Sequence, residues 1–304
     1  MRISKKTFLI VISFFAIYVI WGSTYLLNKI AVTELAPFFL ASIRFFTCGI
    51  LIFIIAKAMG VSLKLTKHQL LNVIITAFLF LVYGNGVFVW SLRFVDSGFG
   101  ALEAATQPLF VLVLMWLIDG KKIQTQSIIG IILGLIGMYI LVSQEDLLIK
   151  EGSLLGMFMI LTCVLSWSYG SIFVSKANLP TNYFVSTGYQ MIAAGIMLAI
   201  SSLLFNEKWV SPFNWSEPVV WSMGFLIVFG GIAAFTAFNY LLKVVSTEKV
   251  ATSAYVNPVI ALLLGWYVLD EKLTLQSIIA ATVLLTGVYF ITSKRKLKII
   301  TFGP

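Results

Sequence analysis

Two formal charges stand inside apolar runs of this 304-residue chain, Arg44 and Glu103. An unpaired charge at the centre of a membrane helix costs on the order of 2.5–3.5 kcal/mol, so each needs a partner or a task. Two readings are open. Glu103 is a proton or cation site, or Glu103 and Arg44 form a salt bridge that fixes their helices. Each lies roughly 9–10 Å into its run from the same face, at ~1.5 Å per residue, and that matching depth suits the second reading. Little else in the chain could do bond-making chemistry. His68 is alone in a polar gap, and Cys48 and Cys163 sit in apolar runs where small thiols pack. Neither a disulfide nor a metal site is expected from them. An intramembrane enzyme would need clustered Ser and His, paired Asp or metal ligands. No G-x-x-x-x-G-K-[ST] loop occurs, so ATP is not an expected driver, and no cofactor is expected.

The elements that must position these residues follow from composition. The chain is 60% apolar and 11% charged, against about 25% charge in a soluble domain. So few charges cannot cover so much apolar surface, and the solvent must be lipid. The net charge of +9 does not point to nucleic acid, because the basic residues sit in short gaps between apolar runs. The start, MRISKKTFLIVISFFAIYVIWG, has the basic lead of a signal peptide. Its apolar run is longer than an h-region and no A-x-A site follows, so it reads as an uncleaved first span. Ten windows are long enough to cross a bilayer, at roughly 7–28, 37–58, 70–92, 97–118, 124–143, 153–175, 182–204, 218–242, 247–269 and 275–293. The gap from Phe205 to Glu217 holds Pro212, Asn214 and two tryptophans, and reads as an interfacial loop.

The stretch from Ser97 to Ser143 recurs 150 positions later, with Pro108 on Pro258, Trp116 on Trp266 and Gln126-Ser127-Ile128-Ile129 on Gln276-Ser277-Ile278-Ile279. Such a match is an internal repeat. We expect an all-α integral membrane protein of ten transmembrane helices, built as two five-helix repeats over residues 1–146 and 147–304. Five is odd, so the second repeat must be inverted, a known transporter architecture with a site near the midplane. With the N-terminus inside, 15 Lys and Arg residues collect on one face and 5 on the other. That bias predicts two cytoplasmic termini.

The inverted repeat singles out paired residues. Pro108 and Pro258 each lie about 17 Å into a helix. Each removes a backbone donor and frees a carbonyl four residues back, which Gln107 and Asn257 are placed to serve. Two kinked helices lining a cavity are expected, with ordinary proline kinks as the alternative. Trp21 and Trp167 form a second pair, too deep for interfacial anchors, and either line the cavity or pack in the bundle core. Tyr83, Asn85 and Trp90 in span three, with Asn239 and Tyr240 in span eight, extend this polar and aromatic set. Gly130-x-x-x-Gly134 and Gly137 in span five read as a packing face, with a homodimer interface as the alternative.

Trp21-Gly22-Ser23 in span one, Arg44 in span two, Pro108, Asn257-Pro258 and the turn Asp270-Glu271-Lys272 before a glycine-containing last helix, taken with the doubled five-helix pattern, resemble the EamA-type ten-helix carriers of the drug/metabolite transporter superfamily. The turn after span four departs from that pattern, reading Asp119-Gly120-Lys121-Lys122 in place of a Gly-Glu pair, which weakens any role for an acidic residue there. The resemblance implies a carrier of the bacterial inner membrane. Such carriers mostly export amino acids, related metabolites or amphipathic drugs, and several exchange substrate for protons. The expected function is therefore secondary transport by alternating access, with no enzyme activity. A small amphipathic or zwitterionic substrate would sit among Trp21, Tyr83, Glu103, Gln107, Trp167, Asn239, Tyr255 and Asn257. A passive channel or facilitator is the alternative, and an intramembrane enzyme a more distant one.

Overall fold

A computed structural model of the chain describes residues 5–120, 125–144, 151–245, 250 and 253–292. The described residues form ten long helices and no strand. In chain order these are α1 (Lys6–Ala31), α2 (Pro37–Ala58), α3 (Lys67–Ser91), α4 (Ser97–Asp119), α5 (Thr125–Val142), α6 (Ser153–Lys176), α7 (Tyr183–Leu204), α8 (Glu217–Val244), α9 (Ser253–Leu269) and α10 (Leu275–Thr292). Each falls on one of the ten apolar windows, and seven are by themselves long and apolar enough to cross a bilayer. The described parts of α5 and α10 have 18 residues and that of α9 has 17.

Local chemistry sets the helix ends. Thr66 and Gln69 close a reciprocal capping box at the start of α3. The Asn182 side chain accepts from the N–H groups of Phe184 and Val185 at the start of α7. Helix α4 ends on Gly120 at φ +61, and α9 on Asp270 at φ +52. The two positions are repeat equivalents, so both halves turn on a left-handed residue although only one is glycine.

The halves meet along two seams. In the first, α2 crosses α7. A Cβ on Gly49 would stand 2.9 Å from the Ile192 backbone nitrogen, and one on Gly195 would stand 2.8 Å from that of Phe46. In the second, α5 crosses α10. A Cβ on Gly137 would meet the Leu284 nitrogen at 2.8 Å, and one on Gly287 the Gly134 nitrogen at 2.8 Å. Each seam is reciprocal, the contact from one half being returned by the equivalent residues of the other, as a two-fold axis requires. Helix α1 likewise packs on α8 and α9, as α6 packs on α3 and α4. Gly137 of α5 thus faces Leu284 of α10, and Gly134 faces Leu109 of α4, so both pack against helices of the same chain.

Three helices change winding. Ala16–Ile20 in α1, Phe78–Val87 in α3 and Leu226–Phe235 in α8 are π-helical. A π segment disturbs the i−4 ladder, and carbonyls released within a membrane need other donors. Neighbouring helices supply them. Ser166 and Cys163 of α6 donate to the carbonyls of Leu79 (2.8 Å) and Tyr83 (3.3 Å). Cys48 of α2 and Trp21 of α1 donate to those of Ile227 and Gly230, both at 3.3 Å. The two cysteines, read from sequence as packing groups, are therefore also hydrogen-bond donors. The outward surface is apolar, with Phe158, Leu204 and Tyr267 largely exposed, as lipid contact requires.

Candidate functional site

Helix α4 is broken. Its first segment, Ser97–Ala104, stops at Ala105, and a second, Gln107–Asp119, restarts with Pro108 in its first turn. There the missing proline N–H costs nothing. Thr106 closes the gap, its hydroxyl donating to the Glu103 carbonyl at 2.7 Å. Helix α9 instead runs unbroken through Pro258. The two prolines are equivalent in sequence, but only the first breaks its helix.

Between these helices lies a central cavity of about 150 Å³, walled by both halves. A cavity of that size holds a benzene-sized body. Its aromatic wall is one cluster. Trp21 meets Trp167 edge to face at 5.9 Å and Phe238 at 4.9 Å, and Trp167 packs on Phe80 at 4.8 Å. The wall runs from Arg44, ~10 Å below the lysine-poor face, to Leu242, ~3 Å from the end of α8 at the lysine-rich face.

Arg44 and Glu103 do not form a salt bridge. Arg44, 4% exposed, lines the cavity and donates from Nη1 to Asn28 Oδ1 at 2.7 Å and from Nη2 to Asn85 Oδ1. Glu103, 2% exposed, stands behind the wall formed by Ala104 and Ala105, and its Oε2 has no hydrogen-bond partner. It lies one turn from Gly100, whose missing Cβ faces Phe88, Leu92 and Ile160, so it is turned toward α3 and α6.

Of the residues expected to contact substrate, Trp21, Gln107, Trp167 and Asn257 come together on the cavity wall, with Pro258 beside them. Glu103, Pro108, Tyr83 and Asn239 are not on it. Tyr83 lies within a π segment and Asn239 follows one. The extra residue per π turn rotates later side chains away from the face that an α-helical period assigns. Asn239 instead donates to the Thr187 hydroxyl at 3.0 Å, tying α8 to α7. The Tyr255 side chain lies outside the described residues. With its amide set by the hydrogen-bond network, Asn257 donates to the carbonyls of Ile17 (3.0 Å) and Tyr18 (2.7 Å) in the α1 π segment, and so serves α1 in place of its own helix. Asn28, Asn85 and Ser253 also line the cavity; Asn85 belongs to the polar and aromatic set read from the sequence and Ser253 stands at the position equivalent to Glu103, whereas Asn28 was passed over. Among the described residues no three His, Cys, Asp or Glu side chains gather as metal ligands would.

The profile of the EamA-like transporter family matches residues 8–143 and again 154–293. The chain belongs to the EamA-like transporter family. It is 36% identical over 279 residues to the uncharacterized inner membrane transporter YedA of Escherichia coli K12, covering 91% of this chain and 89% of that one. It is 24% identical over 290 residues to the uncharacterized transporter YoaV of Bacillus subtilis, covering 94% and 99%. A solved crystal structure shares the fold, with a TM-score of 0.68 at 18% identity over 92% of this chain and 95% of the other. The coarse role is thus that of a multi-pass membrane transporter.

The turn that carried part of the family resemblance has a structural task. Glu271 folds back so that its carboxylate accepts from the N–H groups of Ser97 (2.8 Å) and Gly98 (3.1 Å) and from the Ser97 hydroxyl. It caps α4 of the other half, where free N–H groups and the helix dipole favour an anion. Gly265 makes room, since a Cβ there would lie 2.2 Å from Glu271 Oε2. Two more carboxylates act alike at the same face. Glu207 accepts from the N–H groups of Phe38 and Phe39 at the start of α2, and Glu34 from Ser216 at the start of α8. Each clamp joins one half to the other at the lysine-poor face. At the lysine-rich face Lys176 of α6 pairs with Asp119 of α4. Replacing Glu271 with alanine strands two N-terminal donors of α4, and is expected to cost about 1–3 kcal/mol. Thermal unfolding in detergent will read this as a lowered Tm, and an unchanged Tm would show that the clamp contributes nothing.

Proposed function

We propose that the protein is a secondary carrier that exports small amphipathic or zwitterionic metabolites across the inner membrane in exchange for protons. The observation that carries this reading is the central cavity walled by two halves whose equivalent helices meet in reciprocal seams. Rocking the halves about such seams exposes one site to each face in turn. The lysine-rich face is then cytoplasmic. The inner membrane assignment rests on the relative from Escherichia coli. Trp21 and Trp167 would hold the apolar part of the substrate, and Gln107, whose amide makes no hydrogen bond among the described residues, would meet a polar group. Glu103 would carry the proton. It is a buried carboxyl with an unpartnered oxygen, one residue behind the wall.

The test is counterflow in proteoliposomes of the full chain, using labelled amino acids and organic amines. Uptake that saturates, and that is accelerated by unlabelled compound inside, is the expected result. Flux that rises linearly with concentration for every compound would make the protein a pore.

A further inference from the structure

We infer that Arg44 is the anchor for an anionic group on the transported molecule, so that the substrate is a carboxylate with an apolar or aromatic body, and not an organic cation. This rests on the carrier reading and narrows its substrate class.

The cavity carries one unbalanced charge. Among its described lining residues there is no Asp or Glu. The carboxylates of Glu34, Glu207 and Glu271 are committed to helix ends, and that of Asp119 to Lys176. Arg44 therefore faces the cavity with only neutral partners. A buried charge without a counter-charge is costly to maintain, and an incoming anion would balance it.

The guanidinium is also oriented for such a ligand. It has five N–H donors in a fixed fork. Asn28 takes one, Asn85 takes another, and Nε is buried without a partner. The Phe45 ring covers one face, with Cζ 4.3 Å from its centroid. Asn28 is itself held, its amide nitrogen donating to the Thr24 carbonyl at 2.8 Å so that its oxygen turns to Arg44. The remaining donors can hold a planar carboxylate in the two-pronged way that arginine favours. Beyond them the wall becomes aromatic, with Trp21, Trp167 and Phe238. An anionic head and an apolar body fit this order of surfaces. The repeat equivalent of Arg44, 146 positions on at the offset shared by Gly49 and Gly195, is Gln190, so the second half offers no matching cation.

The experiment compares ligands before it changes the protein. Phenylalanine, 3-phenylpropionate, leucine, 2-phenylethylamine and isopentylamine are added to purified full-length protein, and binding is read from the shift in thermal unfolding. The same compounds are then used in proteoliposome counterflow. At least one carboxylate should bind and move saturably, with its decarboxylated partner weaker by about 10- to 100-fold, the size of a lost charge-assisted hydrogen bond. Arg44→Gln should remove that discrimination, and Arg44→Lys should keep part of it by keeping the charge without the fork. The inference is overturned if no carboxylate binds. It is also overturned if the amines are carried as well as the acids, the guanidinium then being balanced by buffer chloride. Saturable counterflow of an amine alone sinks the anion site and leaves the carrier standing. Linear flux of everything sinks the carrier, while carboxylate binding that is lost in Arg44→Gln would still establish the anion site.

Discussion

Replacing Glu103 with glutamine is expected to abolish substrate-driven proton movement while leaving the fold intact. Glutamine has the shape of the acid and lacks its proton chemistry. A structural carboxylate in a membrane bundle is paired, as Asp119 is with Lys176 and as Glu271 is with the start of α4. Glu103 has neither an ion pair nor a partner for Oε2, so removing its charge breaks no seam. The wild-type and variant proteins would be sealed into vesicles with a pH dye and given the substrate found by counterflow. Wild-type vesicles should change pH on substrate addition, and the variant should not, while both unfold at similar temperatures. A variant that still moves protons at the wild-type rate per substrate places the coupling elsewhere. A variant that fails to fold returns Glu103 to architecture.

The second large effect is on stability. Valine at Gly287 should prevent α5 and α10 from docking. The added Cβ would lie 2.8 Å from both the Gly130 carbonyl oxygen and the Gly134 nitrogen. These are backbone atoms within a helix and cannot swing aside as a flexible side chain can. Overpacking typically costs about 1–3 kcal/mol, and the backbone neighbours put this site at the upper end or above. Gly224→Ala serves as the control, because nothing lies within 4 Å of its would-be Cβ and alanine favours helix. Melting in detergent and the yield of monodisperse protein give the readout. If Gly287→Val melts with the wild type, the two helices do not touch at that position.

The spans were legible because burial in lipid writes itself into sequence as long apolar runs. The window 37–58 coincides with α2, and α4, α5 and α10 lie within a residue of theirs. The repeat was legible for the same reason, as apolar positions and turn residues recur together. What escaped lies where the helices stop being ordinary. At an offset of 150 Phe88 falls on Phe238, but Trp21 and Trp167, like Gly49 and Gly195, stand 146 apart. The difference is four residues, and it enters in the connections, since α2 and α7 end 146 apart at Ala58 and Leu204 while α3 and α8 begin 150 apart at Lys67 and Glu217. Trp21 donates to the Gly230 carbonyl, and Trp167 packs within 3.0 Å of where a Gly84 Cβ would be. No periodicity argument on single helices carries a change of winding, and Tyr83 and Asn239, expected among the substrate contacts, stand off the cavity wall. The prolines show a different limit. Pro108 and Pro258 look alike in sequence, yet only α4 breaks, because Thr106 and Ala105 find local partners there. The Glu271 clamp joins residues 174 positions apart, and nothing local announces it.

The polar nest around Arg44 is drawn from α1, α2 and α3, since Asn28, Arg44 and Asn85 all belong to the first repeat. With Arg44 as the proposed anchor, a backbone built on duplication would hold its cargo lopsidedly. Were the halves to rock as proposed, a molecule gripped at that nest would travel with the first repeat as a passenger, while the second would sweep past its free end. The two access states would then be related in outline by the two-fold axis and unequal in energy for the bound cargo. On that proposal the preference between loading and release would be set by what the second repeat shows to the tail, and engineering aimed at direction of transport would belong on α6 and α9, away from the arginine.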